Sequence, residues 1–317
     1  MRIKAAAAVC VLVLGGCGGG GKTEGAGTTA PSKHGEKAIA APADLAKVAK
    51  TGCEKVSSGR VEMRVAFSGG DLPKPVEGVI TGEFDDKARR VHVVWDMGAM
   101  VEALGGAEAA GAGAAQARLE FVVDGDTFYI KSPFFAAPGG GAKPWVKSAA
   151  GESGGLTDEA LFGASMCDIT QVLTGVTGVR KVGTDPVEGT STVHYVADVD
   201  IKRAVAAAAS KNAREFAQSL IDASGLSEVQ VDLWVDGGGI VRKMAFEMPN
   251  FDVGGLVAGA GPGEAAGESA PSSKVSAKFT ILFRDLNKPV LIDIPPPDQV
   301  TDLGSMLGGS MPAVPKG

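Results

Sequence analysis

The sequence has few histidines, few cysteines and no cluster of basic residues. Its three histidines are His34, His92 and His194, and none stands in a metal-spaced set with Cys, Asp or Glu. No Gly-x-Ser-x-Gly elbow and no phosphate-binding glycine loop occurs, so the glycine clusters are typical of surface loops. Without a basic patch, binding to nucleic acid is not expected. These absences predict a protein without catalysis, metal or other cofactor.

The N-terminal segment has the three parts of a secretory signal. Basic residues come first, an apolar run follows from Ala5 to Leu14, and two glycines precede Cys17. This run is too short for a transmembrane helix, which needs about twenty apolar residues, so residues 1–16 are predicted to be a cleaved signal peptide. The tetrapeptide Leu14-Gly15-Gly16-Cys17 resembles the bacterial lipobox, which implies a lipid on the thiol of Cys17. An ordinary signal peptide with a chance cysteine is the alternative.

Residues 17–42 consist mostly of Gly, Ser, Thr, Ala and Pro and contain almost nothing to bury. This composition predicts a flexible tether behind the lipidated cysteine. We therefore expect the protein to lie on the extracytoplasmic face of the bacterial cell membrane, anchored through Cys17. A single domain is predicted over residues 43–300, followed by a loose C-terminal tail at 301–317. Loss of the signal peptide leaves a net charge of about −8.

The domain contains only two cysteines, Cys53 and Cys167. Two cysteines in an exported protein predict one disulfide, with two buried free thiols as the alternative. Cys53 lies on the apolar face of a helix predicted from Asp44 to about Val56. Its partner is therefore expected from the core side, where a helix predicted over residues 165–174 carries Cys167.

Most of the domain follows the two-residue period of strands that bury one face. About ten strands are predicted, at residues 61–67, 76–85, 91–97, 119–123, 127–131, 176–184, 190–199, 229–235, 240–248 and 275–283, with a last short one at 290–294. Another helical stretch is predicted from an N-cap at Asp200 to Gly225, with a break near residues 210–212. The Ala/Gly-rich segments 98–117 and 254–273 are predicted to be insertions, the first with a short helix near Met100–Leu104.

These elements predict an α+β fold built mainly from antiparallel strands. Each long strand must bury its apolar face, but only about three helices are available to cover the sheet. A curved sheet that wraps around its helices, or around a ligand, satisfies both conditions.

Five segments carry a resemblance to a known family. They are residues 182–189 (VGTDPVEG), 193–200 (VHYVADVD), 231–236 (VDLWVD), 240–243 (IVRK) and 285–295 (DLNKPVLIDIP). Their order, together with the lipobox, resembles the LppX/LprAFG family of actinobacterial lipoproteins, whose fold is similar to that of the LolA lipoprotein carriers. The resemblance implies a half-open antiparallel β-barrel with helices against its concave face. It also implies an apolar cavity between them for the acyl chains of a lipid or glycolipid.

The apolar strand faces would then line this cavity, although the pattern alone favours ordinary core and only the resemblance favours a lipid-lined cavity. The expected cavity residues are Val61, Met63, Val65, Val91, Val93, Trp95, Leu119, Phe121, Val231, Leu233, Phe246, Phe279 and Ile281. The leading hypothesis is a lipoprotein that carries lipid within the cell envelope, with a transporter or another envelope protein as partner. The alternative is an envelope scaffold or protein-interaction module with a filled core and no ligand.

Overall fold

The computed structural model describes residues 39, 41–70, 72, 74–103, 118–132, 143–149, 165–252 and 274–303. The predicted signal peptide, Cys17 and nearly all of the tether lie outside these residues. So do the chain beyond residue 303 and most of both Ala/Gly-rich segments. Ile39 is buried and the first helix begins at Pro42, so the folded domain starts slightly before the predicted boundary at residue 43.

Twelve strands occur in the described residues. Several of the predicted strands, such as β2 and β9, show the expected two-residue alternation of buried and exposed positions. They are β1 (Ser58–Ser68), β2 (Val76–Asp85), β3 (Arg90–Asp96), β4 (Arg118–Asp124), β5 (Thr127–Lys131), β6 (Trp145–Ala149), β7 (Val176–Val187), β8 (Thr190–Asp200), β9 (Glu228–Asp236), β10 (Val241–Asp252), β11 (Lys274–Arg284) and β12 (Val300–Asp302). The sequence patterns did not predict β6 and β12. The strand predicted at 290–294 is wrong, because these residues join no described strand.

All twelve strands form one sheet in the order β12-β6-β5-β4-β3-β2-β1-β11-β10-β9-β8-β7. Neighbouring strands are antiparallel except for the parallel pair of β12 and β6. Two meanders, β1–β6 and β7–β11, are joined where β1 pairs with β11. The curved sheet is not closed by hydrogen bonds between its outermost strands, β7 and β12. The predicted half-open antiparallel architecture of the α+β class is confirmed.

One face of the sheet, here called the inner face, carries apolar side chains at alternate positions. On β9 the buried inner-face residues are Val229, Val231, Leu233 and Val235. The residues between them are more exposed and form the opposite, outer face. The inner-face residues and the buried sides of the helices belong to one hydrophobic cluster, which is the main core.

Five short α-helices accompany the sheet in the described residues. They are α1 (Pro42–Cys53), α2 (Gly98–Ala103), α3 (Met166–Thr170), α4 (Ile201–Ala207) and α5 (Lys211–Ser224), with 3₁₀ helices at Gln171–Gly175 and Pro297–Gln299. Helices α1, α4 and α5 contact strands of the β7–β10 half of the sheet, whereas α2 contacts β2. Most of the helical cover thus lies over one half of the inner face.

The ends of the helices follow local capping chemistry. The side chains of Asp200 and Ser210 accept backbone N–H bonds at the starts of α4 and α5, and Gly225 ends α5 in the left-handed conformation. These observations confirm the predicted N-cap, the helix break and the helix end. The prediction that Asp44 opens the first helix is wrong, because Pro42 already occupies its first turn.

The chain after β11 crosses the outer face of the sheet. Ile292 packs there with Val122 and Trp145 in a second, smaller buried cluster. The chain then enters β12, which pairs with β6 as far as Asp302. The fold therefore continues two residues beyond the predicted domain end at residue 300.

Gly52 allows α1 to approach the turn between β9 and β10 closely. A Cβ atom at Gly52 would lie 1.9 Å from the carbonyl oxygen of Gly239, so an alanine forces the helix or the turn to move. We expect Gly52→Ala to lower the free energy of unfolding by about 1–3 kcal/mol in urea unfolding. Gly183→Ala is the control, because no atom lies within 4 Å of its Cβ position, and its effect should stay within about 0.5 kcal/mol. Equal effects of the two substitutions would contradict the tight contact.

Candidate functional site

The residues predicted to line an apolar cavity all lie on the inner face and all belong to the main core. Their faces follow from strand alternation, and their register places Val61, Met63 and Val65 of β1 beside Phe283, Ile281 and Phe279 of β11. Leu233, Ile281 and Leu119 are at most 2% exposed. The structure therefore brings the predicted set together as one apolar surface, but only part of this surface borders empty space.

A small cavity lies between α3 and strands β1, β2, β3 and β11, and its volume is about 40 Å³. Its lining consists of Val61, Met63, Ile80, Glu83, Phe84, Val91, Val93, Met166, Ile169 and Phe283. Of the predicted residues, only Val61, Met63, Val91 and Val93 line it. Pockets that hold ligands usually measure about 300–1,000 Å³, so this cavity does not admit an acyl chain in the conformation observed.

Sequence reasoning missed Met166 and Ile169, which form the helical wall of the cavity. The sequence spacing of these two apolar residues could have indicated them, because residues three positions apart in a helix share a face. Ile80 and Phe84 were also missed, although they occupy the apolar positions of a predicted strand. The local sequence pattern does not indicate which strands the apolar face of α3 lies over.

Three residues of the cavity lining, Phe283, Val61 and Val93, belong to an apolar row that crosses the inner face. Strand register places the following residues side by side from β11 to β6: Phe283, Val61, Gly82, Val93, Phe121, Ile130 and Val146. At about 4.8 Å between strands, this apolar row is about 29 Å long. Gly82 is the one residue of the apolar row without a side chain. A Cβ atom there would lie 3.0 Å from Val61 Cγ1 and 3.3 Å from Val93 Cγ2.

Helix α3 is held in place by covalent and polar links. A disulfide joins Cys53 at the end of α1 to Cys167 in α3, with a Cα–Cα distance of 5.1 Å, which confirms the predicted pair. Ser165 and Asp168 form a capping box at the start of α3. Asp168 also accepts a 2.6 Å hydrogen bond from Oγ of Ser210, which connects α3 to the first turn of α5.

The turn that follows β2 places a further carboxyl group near α3. Desolvation, followed by the charges of Asp168 and Asp85, raises the pKa of Asp86 to about 6. An acid with a raised pKa stabilises the fold in its protonated form. Its contribution is therefore complete below its ordinary pKa and is lost as the pH rises through about 6.

His92 lies on the outer face in a contact between strands. Its Nε2 is 3.0 Å from Oε1 of Glu120, and Nζ of Lys131 is 3.3 Å from the other carboxylate oxygen. Burial opposes ionisation of Glu120, but the hydrogen bond to His92 and the charge of Lys131 outweigh it, so the pKa of Glu120 is lowered. This arrangement is a cross-strand polar ladder, on the face opposite the apolar row.

His194 is also on the outer face and stacks on Trp234, with 4.2 Å between ring centroids. Its Nε2 is 2.6 Å from Oδ1 of Asp232, and its Nδ1 is 3.5 Å from Oδ2 of Asp185. Across the described ranges, no group of three or more His, Cys, Asp or Glu residues could hold a metal ion. Likewise, none of the helices described here has the length and apolarity needed to cross a bilayer.

No protein-family model matches this chain, and no curated protein matches it in sequence. Solved structures do match. Lipoprotein LppX of Mycobacterium tuberculosis has a TM-score of 0.40 and 14% identity, over 80% of this chain and 100% of that one. LprF of Mycobacterium bovis has a TM-score of 0.41 and 12% identity, over 80% and 96%. A LolA superfamily protein of Nitrosomonas europaea has a TM-score of 0.27 and 9% identity, over 81% and 96%.

These identities and TM-scores are low, so no ligand, partner or location is transferred from those proteins to this chain. The architecture rests instead on the strand order, register and buried face described above. The chain is thus similar to LppX, LprF and LolA superfamily structures over most of its length, and its open antiparallel sheet with helices on the inner face is the architecture that the sequence resemblance implied.

Proposed function

We propose that this chain is a lipid-anchored envelope protein that binds an acyl-chain lipid or glycolipid on its inner face and carries it within the cell envelope without catalysis. Lipid on Cys17 holds it at the extracytoplasmic face of the membrane, and residues 18–38, which precede the buried Ile39, act as the tether. Mass spectrometry of the mature N-terminus tests the anchor. It should find an acylated Cys17, and an unmodified cysteine there would contradict this part of the proposal.

The observation that carries the proposal is the apolar row, three of whose residues line the cavity beside α3. The row runs without a charged side chain from Phe283 to Val146. A methylene group transferred from water to such a surface contributes about 0.8 kcal/mol, so ten of them contribute about 8 kcal/mol before the costs of ordering the ligand. Apolar area therefore supplies a large favourable term for holding a lipid, against which the cost of uncovering the buried row is set.

Binding requires the cavity to widen several-fold, and α3 is the element able to provide the space. It has only five residues, and its cavity wall consists of Met166 and Ile169. The disulfide at Cys167 limits how far α3 can move, while its polar links through Asp168 can break and re-form. We infer that lipid enters where α3 separates from β1–β3.

The alternative is an envelope scaffold without a ligand. The volume of about 40 Å³ favours it, because a core that is already filled has no room for an acyl chain. If the protein is a scaffold, the folded protein never contains lipid. Measurement of its lipid content therefore distinguishes the scaffold hypothesis from the carrier hypothesis.

The test uses full-length protein purified without detergent and analysed by native mass spectrometry and lipid extraction. Wild-type protein should contain lipid, and Val93→Phe should contain at least tenfold less because the larger side chain fills the cavity. Val94→Phe is the matched control, since the same change lies on the opposite face of β3, and it should retain lipid. Thermal unfolding of both variants verifies that they are folded. Lipid-free wild type, or equal lipid content in the two variants, would refute the carrier.

A further inference from the structure

A larger cavity lies on the outer face and has no contact with the apolar row. Its volume is about 280 Å³, and we call it the outer groove. Strand register places Glu62, Leu282 and Lys243 side by side in its floor, on β1, β11 and β10. The tip of the β7–β8 hairpin, residues 186–188, forms the wall opposite this floor. The outer groove is therefore built from strands that are distant in the sequence.

The outer groove contains three cationic and two anionic side chains. Arg284 pairs through Nη1 with Glu62 at 2.8 Å and through Nη2 with Glu188 at 3.2 Å. Arg64 pairs through Nε with the same Glu62 at 2.7 Å. Both carboxylates are thus engaged by arginines, and the lining retains one net positive charge, on a protein whose overall charge is negative.

Two residues that line the outer groove, Lys243 and Arg284, each carry a hydrogen-bond donor without an anionic partner. Nζ of Lys243 lies 4.1 Å from the centre of the Trp234 ring, and within the described residues no ion pair joins it to a carboxylate. Nε of Arg284 is buried and has no hydrogen-bond partner there. A buried donor without a partner destabilises the fold, so an acceptor placed in the groove would recover free energy.

Aliphatic side chains border these donors. Leu282 lies between Glu62 and Lys243 in the floor, and Pro186 and Val187 face the same space from the hairpin. A ligand that is only charged would leave this aliphatic surface uncovered. A ligand that is only apolar would leave the donors of Lys243 and Arg284 unsatisfied.

We propose that the outer groove is a second binding site, for a ligand that carries one negative charge next to a short aliphatic segment. The anionic oxygen contacts Nζ of Lys243 and Nε of Arg284, and the aliphatic segment packs between Leu282 and Val187. A free carboxylic acid or the phosphodiester headgroup of a membrane lipid could supply this chemistry. The site lies on the face of the sheet opposite the apolar row, and the proposal for it does not depend on lipid binding to that row.

The test is methyl-resolved NMR of the full-length protein titrated with hexanoate. We expect saturable shifts of the Leu282 and Val187 methyl groups, no saturation with hexanol, and weaker hexanoate binding at raised salt because the contact is ionic. Lys243→Met should weaken hexanoate binding at least tenfold. Lys202→Met is the matched control, because it removes the same charge from an exposed position on α4, and its affinity should change less than twofold.

Other outcomes overturn the proposal. These are the absence of saturable shifts, equal binding of hexanol, or equal effects of the two lysine substitutions. Movement of the Ile80 methyl group, which lines the inner-face cavity, without movement of Leu282 would assign hexanoate to that cavity, so failure of this site is distinguishable from failure of the carrier proposal. Competition by phosphatidylglycerol–phosphatidylcholine vesicles, but not by phosphatidylcholine alone, would identify the headgroup as the source. Without such competition, the ligand is a soluble anion.

Discussion

Replacement of both Cys53 and Cys167 by serine is expected to lower the free energy of unfolding by about 4–5 kcal/mol. The disulfide spans a sequence separation of 114 residues, and in the chain-entropy model the constraint on the unfolded state grows with the length of this loop. Urea unfolding of the oxidised wild type and of the double variant measures the difference. Because the bond joins α1 to the wall of the cavity, its loss should also let α3 move further from the sheet.

Reduced wild-type protein is the control for the disulfide prediction. It has the same broken link but keeps both cysteines, so its stability should agree with that of Cys53→Ser/Cys167→Ser within about 1 kcal/mol. A larger gap would mean that the serines disturb packing, because Cys53 is 3% exposed. Double-variant stability equal to that of the oxidised wild type would contradict the stabilising role of the bond.

Leu233→Ala is expected to cost about 2–5 kcal/mol, the range for large-to-small changes in a packed core. Leu233 is 0% exposed and lies on β9 between Tyr195 of β8 and Met244 of β10. This half of the inner face is covered by α4 and α5, among other elements. The loss should therefore include both transfer free energy and the energy of an unfilled cavity.

Leu291→Ala is the matched control for Leu233→Ala. Leu291 is 81% exposed, so the same deletion should change stability by no more than about 0.5 kcal/mol. The comparison also tests which part of the predicted cavity set is core. A cost below about 1 kcal/mol for Leu233→Ala would mean that Leu233 borders a space able to adjust, as the lining of a ligand cavity would.

Local patterns predicted the strands and helix ends well, because alternation and capping depend on residues close in sequence. The hairpin of β7 and β8 is an example. Its two turn residues, Glu188 and Gly189, both have positive φ, as short hairpin turns require. Strand β6 was missed because its short segment follows a Pro/Gly-rich region. The strand predicted at 290–294 was wrong for a different reason. Its apolar residue Ile292 packs against Trp145 on the outer face of the sheet without pairing with another strand.

The candidate site was predictable only in part, for a related reason. Alternation identified Val61, Val93 and Phe121 as inner-face residues. Packed core and cavity lining have the same sequence pattern, so alternation could not separate Leu233 from Val93. The position of α3 separates them, because Met166 and Ile169 stand over β1–β3. No local sequence pattern indicates the outer groove, because its residues come from the hairpin tip, β1, β10 and β11.

By itself, the sequence determined the class of fold, the buried face of most strands, the caps at Asp200 and Gly225, the disulfide partners and the expectation of a lipid anchor at Cys17. These depend on composition, on periods of two or 3.6 residues and on the number of available cysteines. Only the tertiary structure decided that β1 pairs with β11, that α3 closes one end of the apolar row and that a charged groove forms on the outer face. The physical reason is that a period reports which side of an element is buried, whereas its neighbour is chosen by packing between segments far apart in the chain.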